Sequence, residues 1–234
     1  MSESVPLKTP TPLFRLLLVL SATTGMVDAA SILGMDKVFT ANMTGNVVFL
    51  AFATAGAEGF HAWHYVVALG AFMLGAVLAG RMWRSNKAER LSHMLVRAAA
   101  IESALLFLAG SLVLPSSPAV AALWQALAVV GLAAGAMGFR NAVVRQLKVP
   151  DLTTTVLTLT ITGIASDSRL AAGTGPNLAA RVGAVAAIFA GALAGTLVFR
   201  WLGLGPTLLI TGGVVLVGTC VFVRHPQMAE LHRQ

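Results

Sequence analysis

The sequence predicts an all-α membrane protein, and both its composition and its apolar patterning indicate this class. Hydrophobic residues make up 57% of the 234 residues, charged residues only 11%, and the mean hydropathy is +0.82. A soluble domain of ordinary composition carries about 25% charged residues. Six continuous apolar stretches also approach the ~20 residues that a helix needs to cross a bilayer. Because these stretches do not alternate with polar residues, they argue against a transmembrane β-barrel.

Each of the six stretches is expected to form a transmembrane helix, and two shorter stretches are expected to form broken or re-entrant helices. The six are residues 13–33, 65–83, 95–114, 119–139, 178–201 and 206–223, and the shorter two are 47–56 and 156–165. Residues 13–224 are therefore predicted to form a single transmembrane domain. We expect a disordered N-terminal tail at 1–12, which is polar and proline-rich, and a C-terminal tail at 225–234.

Polar residues interrupt the apolar sequence in two patches, one in each half of the chain. The first patch, residues 39–46, reads FTANMTGN, and the second, residues 149–155, reads VPDLTTT. Each precedes one of the short apolar stretches. Polar side chains are costly at membrane depth, so they indicate function by default. Two patches in corresponding positions indicate an internal repeat, with repeat 1 at about 13–114 and repeat 2 at about 119–223.

The distribution of lysine and arginine favours one of two topologies. If all eight apolar stretches cross, six of the sixteen basic residues lie outside. If both short stretches are re-entrant, every basic residue except Lys37 and Arg200 lies inside, together with both termini. Basic residues prefer the cytoplasmic side, so we expect six crossings and a basic inside linker at 81–97. Three crossings then separate the two patches, which makes the repeat an inverted one.

The two patches are expected to meet near the middle of the membrane and to form a polar site. Irregular backbone is tolerated at that depth only inside protein or beside a water-filled cavity. Thr40 or Asn42 is predicted to cap the first short helix, and Asp151 the second. Helix N-termini suit anions, whereas an ionised Asp151 would oppose that preference. The charge of a bound solute is therefore left open.

Eleven residues are candidates for a substrate or ion path. Asp28 lies about fifteen residues into the first stretch, and it is predicted to serve a proton, a cation or a substrate amine. Alternatively, Asp28 pairs with Arg140 or caps a helix end, and Arg140 closes the inside end of its own helix. Thr155, Thr158 and Thr162 share one helical face, as a hydroxyl-lined path or as hydroxyls bonded within their helix. The candidates are Asp28, Asn42, Thr44, Gly45, Asn46, Arg140, Asn141, Asp151, Thr154, Thr155 and Thr158.

The remaining polar residues suggest no metal, cofactor or catalytic site. Glu58, His61 and His64 have a spacing that could bind a metal, but an exposed loop face is the favoured interpretation. Glu102 is expected near the membrane interface, at the start of its span. The single cysteine, Cys220, excludes an intramolecular disulfide.

The first helix and its polar patch together resemble a known family. Residues 25–31 read GMVDAAS, and residues 38–46 read VFTANMTGN. This combination resembles the YoaK-like family of bacterial membrane proteins, over about residues 13–223. The resemblance implies about six transmembrane helices and adds weight to the candidates Asp28, Asn42, Thr44, Gly45 and Asn46. Because the family is known as one of unknown function, the resemblance implies no substrate and no reaction.

The leading hypothesis is a small-solute transporter or channel of the bacterial cytoplasmic membrane, either passive or ion-coupled. No phosphate-binding GxxxxGK[ST] loop occurs in the sequence, and Asp28 is the candidate for a proton-linked group. The alternative is a scaffold, receptor or assembly protein without a solute path, in which Asn42 and Thr154 are packed and dry. An enzyme is not expected, because every histidine lies outside the apolar stretches and neither GxSxG nor HExxH occurs.

The expected partners are the lipid bilayer and an unidentified small solute. The net charge of +7 gathers between the spans, so it does not indicate nucleic acid. Pairs of small residues, Gly131 with Gly135 and Gly191 with Gly195, predict close helix packing. Such pairs pack helices within one chain or between copies, so a homo-oligomer stays open.

Overall fold

Helices make up most of the described chain, which comprises residues 11–86, 89–114, 123–149, 157–174 and 177–229 of a computed structural model. These residues contain no β-strand. In chain order the helices are α1 (Thr11–Gly34), α2 (Met43–Thr54), α3 (Ala62–Ser85), α4 (Leu91–Val113), α5 (Leu123–Leu147), α6 (Leu157–Ser166), α7 (Leu178–Leu202), α8 (Leu204–Val223) and α9 (Pro226–Ala229). Among these, all except α2, α6 and α9 are long and apolar enough to cross a membrane.

The predicted all-α class is confirmed, and two of the membrane-length helices extend at least four residues beyond the predicted bounds. α4 begins at Leu91 instead of residue 95, and α5 continues to Leu147 instead of ending at 139. A hydropathy pattern ends where charges begin, but arginine is a good helix former and allows the helix to continue. Most described residues of the predicted linker at 81–97 are therefore helical.

The two predicted tails are described only in part. α1 begins at Thr11, within the predicted N-terminal tail, and residues 1–10 lie outside the described chain. In the predicted C-terminal tail, α9 packs against α1, α4 and α8, and Met228 is fully buried. The start of this tail is thus a packed element, because Met228 belongs to the apolar core.

Three pairs of helices are in the closest contact, and glycines set the distance between them. α1 packs along α7, α3 along α5, and α4 along α8. A Cβ atom on Gly191 would lie 1.8 Å from the carbonyl oxygen of Ala22, and one on Gly138 would lie 2.0 Å from that of Phe72. Backbones approach this closely only where a side chain is absent. These glycines therefore pack helices within the chain.

α1 and α7 run in the same direction, and so do α3 and α5. Leu18 lies beside Gly183, and further along both helices Met26 lies beside Gly195. Residue numbers rise together in the same way across the contact between α3 and α5. Two neighbouring helices can run in parallel only if the chain between them returns to the end of the bundle at which the first helix began.

α4 and α8 run in opposite directions. Ser103 Oγ donates to the carbonyl oxygen of Gly212 at 2.8 Å, whereas Gly110 further along α4 faces Gly205. α4 is likewise antiparallel to α5, and α1 to α8. Together these directions make α1 antiparallel to α3, and α5 antiparallel to α7. The segments that hold α2 and α6 each begin and end at one end of the bundle, as six crossings require.

Charge distinguishes the two ends of the bundle. We call the end at which α1, α4 and α7 begin the basic end, and the other the histidine end. Of the lysines and arginines that the structure describes, Lys37 and Arg200 lie at the histidine end and Arg140 lies inside the bundle. The others lie at the basic end, which agrees with the predicted charge asymmetry.

The apolar core forms two clusters, one towards each end of the bundle. Leu17, Leu95 and Val143 belong to the cluster at the basic end. Tyr65 and Leu106 belong to the cluster at the histidine end. The level between the two clusters is occupied by polar side chains.

Candidate functional site

A layer of buried polar side chains crosses the bundle between the two apolar clusters. Its members lie on α1, α4, α5 and α8, and none is more than 3% exposed. They are Ser21, Thr23, Thr24, Glu102, Ser103, Arg140 and Thr211. We call them the polar layer. Glu102 and Arg140 are its ionisable members, so they dominate its electrostatics.

The Arg140 guanidinium connects three helices at this layer. Its Nη2 donates to Glu102 Oε1 on α4, in an ion pair whose two side chains are buried. Its Nη1 donates to the carbonyl oxygen of Leu20 and to Thr24 Oγ1 on α1, at 2.9 Å each. Its Nε has no hydrogen-bond partner among the described residues. Both Nη atoms of the cation are therefore hydrogen-bonded, whereas its Nε is not.

The hydroxyl groups of the layer bond mainly to their own helices. Ser21 donates to the carbonyl oxygen of Leu17, and Thr24 to that of Leu20, at 2.9 Å each. Thr211 likewise donates to its own helix. Helical serine and threonine commonly satisfy themselves in this way. These groups are therefore held by backbone carbonyls, and the charged pair is the distinctive chemistry of the layer.

A small cavity adjoins the ion pair on the side of the basic end. Its volume is about 20 Å³, and its lining includes Glu102, Arg140, Ala98, Val143 and Leu147. Room for one water requires about 10–15 Å³ on this measure. The cavity therefore accommodates about one water molecule, next to the charged pair and inside a largely apolar wall.

Asp28 holds the FTANMTGN motif against α1. Its Oδ1 accepts hydrogen bonds from the backbone N–H of Ala41 at 3.1 Å and from Thr40 Oγ1 at 3.3 Å. The predicted alternative of an Asp28–Arg140 pair is wrong, because Arg140 pairs with Glu102 instead. Asp28 thus anchors the turn that leads into α2.

Asn46 and Gly45 close the same turn around Phe39. Asn46 Oδ1 accepts from the Phe39 N–H at 2.9 Å, and Asn46 Nδ2 donates to the Phe39 carbonyl oxygen at 2.6 Å. A Cβ on Gly45 would lie 2.5 Å from the Phe39 ring, which explains glycine there. The predicted side-chain caps are wrong for α2: Asn42 occupies the N-cap position without a capping bond, and Thr40 bonds Asp28. The polar side chains of the motif therefore largely form hydrogen bonds that fix its own backbone.

The remaining candidates are dispersed. Asn42 and Thr44 are exposed at the start of α2, and Thr158 is exposed on α6. Asn141 donates to the carbonyl oxygen of Met137 in its own helix, at 3.1 Å. The others, Asp151, Thr154 and Thr155, lie outside the described residues. Whether the two patches meet therefore stays a prediction; α2 packs along α3, and α6 packs along α7.

Two expectations about charged residues are wrong for the same reason. Glu102 was expected near the membrane interface, and Arg140 at the end of its helix. Both lie well inside their helices, because α4 begins earlier and α5 ends later than the hydropathy pattern indicates. Extending each helix through its charges to a full span would have brought both residues to mid-membrane depth.

At the basic end, Arg181 attaches the end of α6 to α7. Arg181 Nη1 donates to the Gly163 carbonyl oxygen at 2.6 Å and to Asp167 Oδ2 at 2.7 Å. The hydrogen bond from Arg181 lowers the pKa of Asp167 below its ordinary value. Asp167 therefore stays charged at neutral pH, and the attachment is retained.

The sequence matches a known family over the region that contains both the turn and the ion pair. The family described as "Protein of unknown function (DUF1275)" matches residues 16–221. The chain belongs to this family. It is also 28% identical, over 156 residues, to the UPF0700 transmembrane protein YoaK of Bacillus subtilis (strain 168). That alignment spans 65% of this chain and 65% of the relative.

These similarities confirm the YoaK-like resemblance and the membrane class. The relative is described as a transmembrane protein, and six helices of the described chain are long and apolar enough to cross a membrane. This member of the DUF1275 family is accordingly a multi-pass membrane protein. No solved structure matches it.

Asn46→Ala is expected to lower the free energy of unfolding of this DUF1275 member by about 2 kcal/mol. The change removes the two side-chain bonds to the Phe39 backbone and leaves the Phe39 N–H and carbonyl without those partners. Thermal unfolding in detergent measures the effect. Asn42→Ala is the matched control, since Asn42 is exposed and makes no capping bond, and it should shift stability by less than about 0.5 kcal/mol. Equal effects would contradict the assigned role of Asn46.

Proposed function

We propose that this protein is a small-solute transporter of the bacterial cytoplasmic membrane, with the Arg140–Glu102 pair as its central site. The observation that carries the proposal is a charged pair buried between α4 and α5, inside a bundle of six membrane-length helices. Charged residues at such depth are costly and usually mark a substrate or ion path. A buried ion pair is also a poor device for stability, because apolar replacements of similar volume are often neutral or stabilising.

The chemistry of the pair favours an anionic or carboxylate-bearing solute. The Arg140 guanidinium presents planar, paired donors that match a carboxylate or phosphate group. Glu102 occupies Nη2, α1 occupies Nη1, and Nε has no partner among the described residues. An incoming anion would compete with Glu102 for Arg140. Protonation of Glu102 weakens that competition, so proton uptake and anion binding are coupled at this pair.

This mechanism moves the proton-linked role from Asp28 to Glu102. Asp28 Oδ1 already accepts two hydrogen bonds that fix the turn before α2. Glu102 instead faces the small cavity and the partner whose charge it balances. A carboxylate that alternates between proton and arginine is suited to ion coupling, whereas one that anchors a turn is suited to structure.

The packing of the helices supports the inverted repeat that such a transporter would use. A Cβ on Gly25 of α1 would lie 2.2 Å from the carbonyl oxygen of Ile188 on α7. A Cβ on Gly138 of α5 would lie 2.0 Å from that of Phe72 on α3. Gly138 comes 113 residues after Gly25, and Ile188 comes 116 residues after Phe72. One crossing is thus the counterpart of the other.

A second pair of contacts has the same offsets. A Cβ on Gly191 of α7 would lie 1.8 Å from the carbonyl oxygen of Ala22 on α1, and one on Gly75 of α3 would lie 2.1 Å from that of Gly135 on α5. Gly135 follows Ala22 by 113 residues, and Gly191 follows Gly75 by 116. The antiparallel contact of α4 with α8 fits a two-fold axis in the membrane plane.

Arg140 departs from this repeat. The offset of 113 residues pairs Asp28 with Asn141 and Arg140 with Val27. Val27 is a fully buried member of the apolar cluster at the histidine end. Because Val27 occupies the equivalent position in the first half, the packing that the two halves share does not require a cation at position 140. This asymmetry supports a specific role for the pair beyond the fold.

The orientation follows from the charges. We place the basic end and both termini in the cytoplasm, because lysine and arginine favour that side. The cavity beside the pair lies towards this end. In this proposal the solute approaches the site from the cytoplasm.

A specific observation favours a second function, a scaffold or receptor without a solute path. The cavity beside the pair is only about 20 Å³, and Asp28 and Asn46 are used in internal contacts. In that function the polar layer stays dry and holds α1, α4 and α5 in register. Access of water to the cavity distinguishes the two functions.

The test is cysteine labelling with a membrane-impermeant thiol reagent in a Cys220→Ser background. Ala98→Cys and Val143→Cys line the cavity, whereas Phe189→Cys lies on the bundle surface, which is expected to face lipid and where the native phenylalanine is 70% exposed. Transport predicts labelling of both cavity positions from the cytoplasmic side and none at position 189. It also predicts faster labelling, by about tenfold, when Glu102→Gln weakens the pair. Unlabelled cavity positions in folded protein would favour the scaffold.

A further inference from the structure

A second cluster of ionisable side chains lies at the histidine end, away from the polar layer. Asp36 follows α1, and His61 and His64 lie at the start of α3. The carboxylate and imidazole atoms that could bind a metal lie within 4.8 Å of one another. His61 Nδ1 contacts Asp36 Oδ2, and His64 Nδ1 lies 3.8 Å from the same oxygen. The three residues therefore converge on one small volume.

The environment of the His64 side chain indicates a ligand within this cluster. Its side chain is 9% exposed, and its Nδ1 has no hydrogen-bond partner among the described residues. A buried polar atom without a partner costs free energy, so native proteins nearly always satisfy it. Asp36 Oδ2 is engaged by His61 and lies 3.8 Å from His64 Nδ1, which is beyond hydrogen-bond distance. A cation between the three groups would satisfy the nitrogen.

We propose that Asp36, His61 and His64 bind a divalent transition-metal ion, for which Zn²⁺ is the best fit. Two imidazoles and one carboxylate are a ligand set that Zn²⁺ accepts, with bond lengths of about 2.0–2.2 Å. Tetrahedral ligands at those lengths lie roughly 3.4 Å apart. The observed atoms need to move by only about 1 Å, within the reach of side-chain rotation.

The surroundings suit a site with an open coordination position. Three protein ligands leave a fourth tetrahedral position free, as in zinc sites that bind water or substrate. A cavity of about 160 Å³ lies beside the cluster, and Asp36, His64 and Gln125 are part of its lining. This volume holds several water molecules. The bound metal would therefore be reachable by water or a small ligand from the histidine end.

The site departs from the interpretation that the sequence favours. The spacing of Glu58, His61 and His64 allows a metal site, but an exposed loop and no metal were expected. Glu58 is exposed and lies outside the cluster. The third member of the cluster is instead Asp36, which lies 25 residues before His61 and is separated from it by the turn and α2. Residue spacing within the α3 segment therefore could not reveal the third ligand.

Zn²⁺ titration of the full-length protein tests the proposal. The protein is purified in detergent with a tag that contains no histidine, stripped with a chelator, and titrated by calorimetry. One Zn²⁺ per chain is expected, and His61→Ala, His64→Ala and Asp36→Asn should each weaken binding by at least about tenfold. His93→Ala and His225→Ala are matched controls, because both histidines are exposed and lie at the basic end.

Two further measurements keep the test decisive. Zn²⁺ should raise the unfolding temperature of the wild type, because a ligand that binds the native state stabilises it. The increase should disappear in His61→Ala, whose side chain is 64% exposed and whose replacement leaves the core unchanged. Co²⁺ in the same site should give the visible absorption of tetrahedral coordination. Absence of binding in folded wild type, or unchanged affinity in all three ligand variants, would overturn the proposal.

Discussion

Arg140→Leu alone is expected to lower the free energy of unfolding by about 3–5 kcal/mol, because it leaves the Glu102 charge buried without its partner. Glu102 is 3% exposed, so bulk solvent cannot stabilise its charge once the guanidinium is lost. The change also removes the bonds from Nη1 to Leu20 and Thr24, which join α5 to α1. Because whole proteins are stable by only about 5–15 kcal/mol, much of the variant should be unfolded near physiological temperature. Thermal and denaturant unfolding in detergent measure the loss.

The double variant Arg140→Met with Glu102→Leu is the comparison that tests this explanation of the lost stability. Removing both charges together eliminates the desolvation cost, and apolar replacements of buried ion pairs are often neutral or stabilising. Most of the lost stability should therefore return, to within about 1 kcal/mol of the wild type. Arg145→Met is the matched control, since Arg145 is exposed at the basic end and should shift stability little. Additive losses in the double variant would show that each side chain acts through separate contacts.

The same double variant separates structure from function. If the pair serves transport, the folded double variant should lose the coupling between protonation and cavity labelling. Labelling of Val143→Cys should then no longer change between mildly acidic and neutral pH. If the double variant folds and labels as the wild type does at every pH, Arg140 and Glu102 serve only to hold helices together.

The sequence predicted the helices well because each span is a continuous apolar run, and it failed where charges lie inside a span. Arg140 and Glu102 are 38 residues apart, and neither position marks itself as a partner of the other. Asp28, by contrast, bonds residues 12 and 13 positions later, in the adjacent polar patch. The polar motif was therefore recognised, but its side chains are engaged in forming a turn. A one-dimensional pattern detects that a residue is polar, and only packing decides which partner satisfies it.

Gly131 with Gly135 and Gly191 with Gly195 were predicted as small-residue pairs, whereas Gly138 and the helices that these glycines contact were not. The sequence pattern gives a face of a helix on which backbone is accessible. It does not specify whether that face meets α3, α7 or a second copy of the chain. The structure assigns Gly191 to α1 and Gly138 to α3. These assignments lead to the second large effect.

Gly138→Ala is expected to lower the free energy of unfolding by about 3 kcal/mol, because overpacking a close helix contact forces the backbones apart. The added Cβ would lie 2.0 Å from the Phe72 carbonyl oxygen, which is backbone and cannot rotate away. Gly25→Ala should cost a similar amount, since its Cβ would lie 2.2 Å from the Ile188 carbonyl oxygen. Under the inverted repeat these two contacts are equivalent, so the two losses should agree to within about 1 kcal/mol. Unfolding of the purified protein in detergent measures both.

Two other glycines provide controls with the same chemical change. A Cβ on Gly70 of α3 or on Gly213 of α8 would meet nothing within 4 Å. Alanine is the better helix former by about 0.5–1 kcal/mol, so Gly70→Ala and Gly213→Ala should leave stability unchanged or raise it. A large loss at all four positions would mean that alanine disturbs the helices themselves. A loss at Gly138 without a matching loss at Gly25 would contradict the equivalence of the two halves. Matching losses at both, with none at the controls, would support a repeat in which each half packs against the other through the same glycine contact.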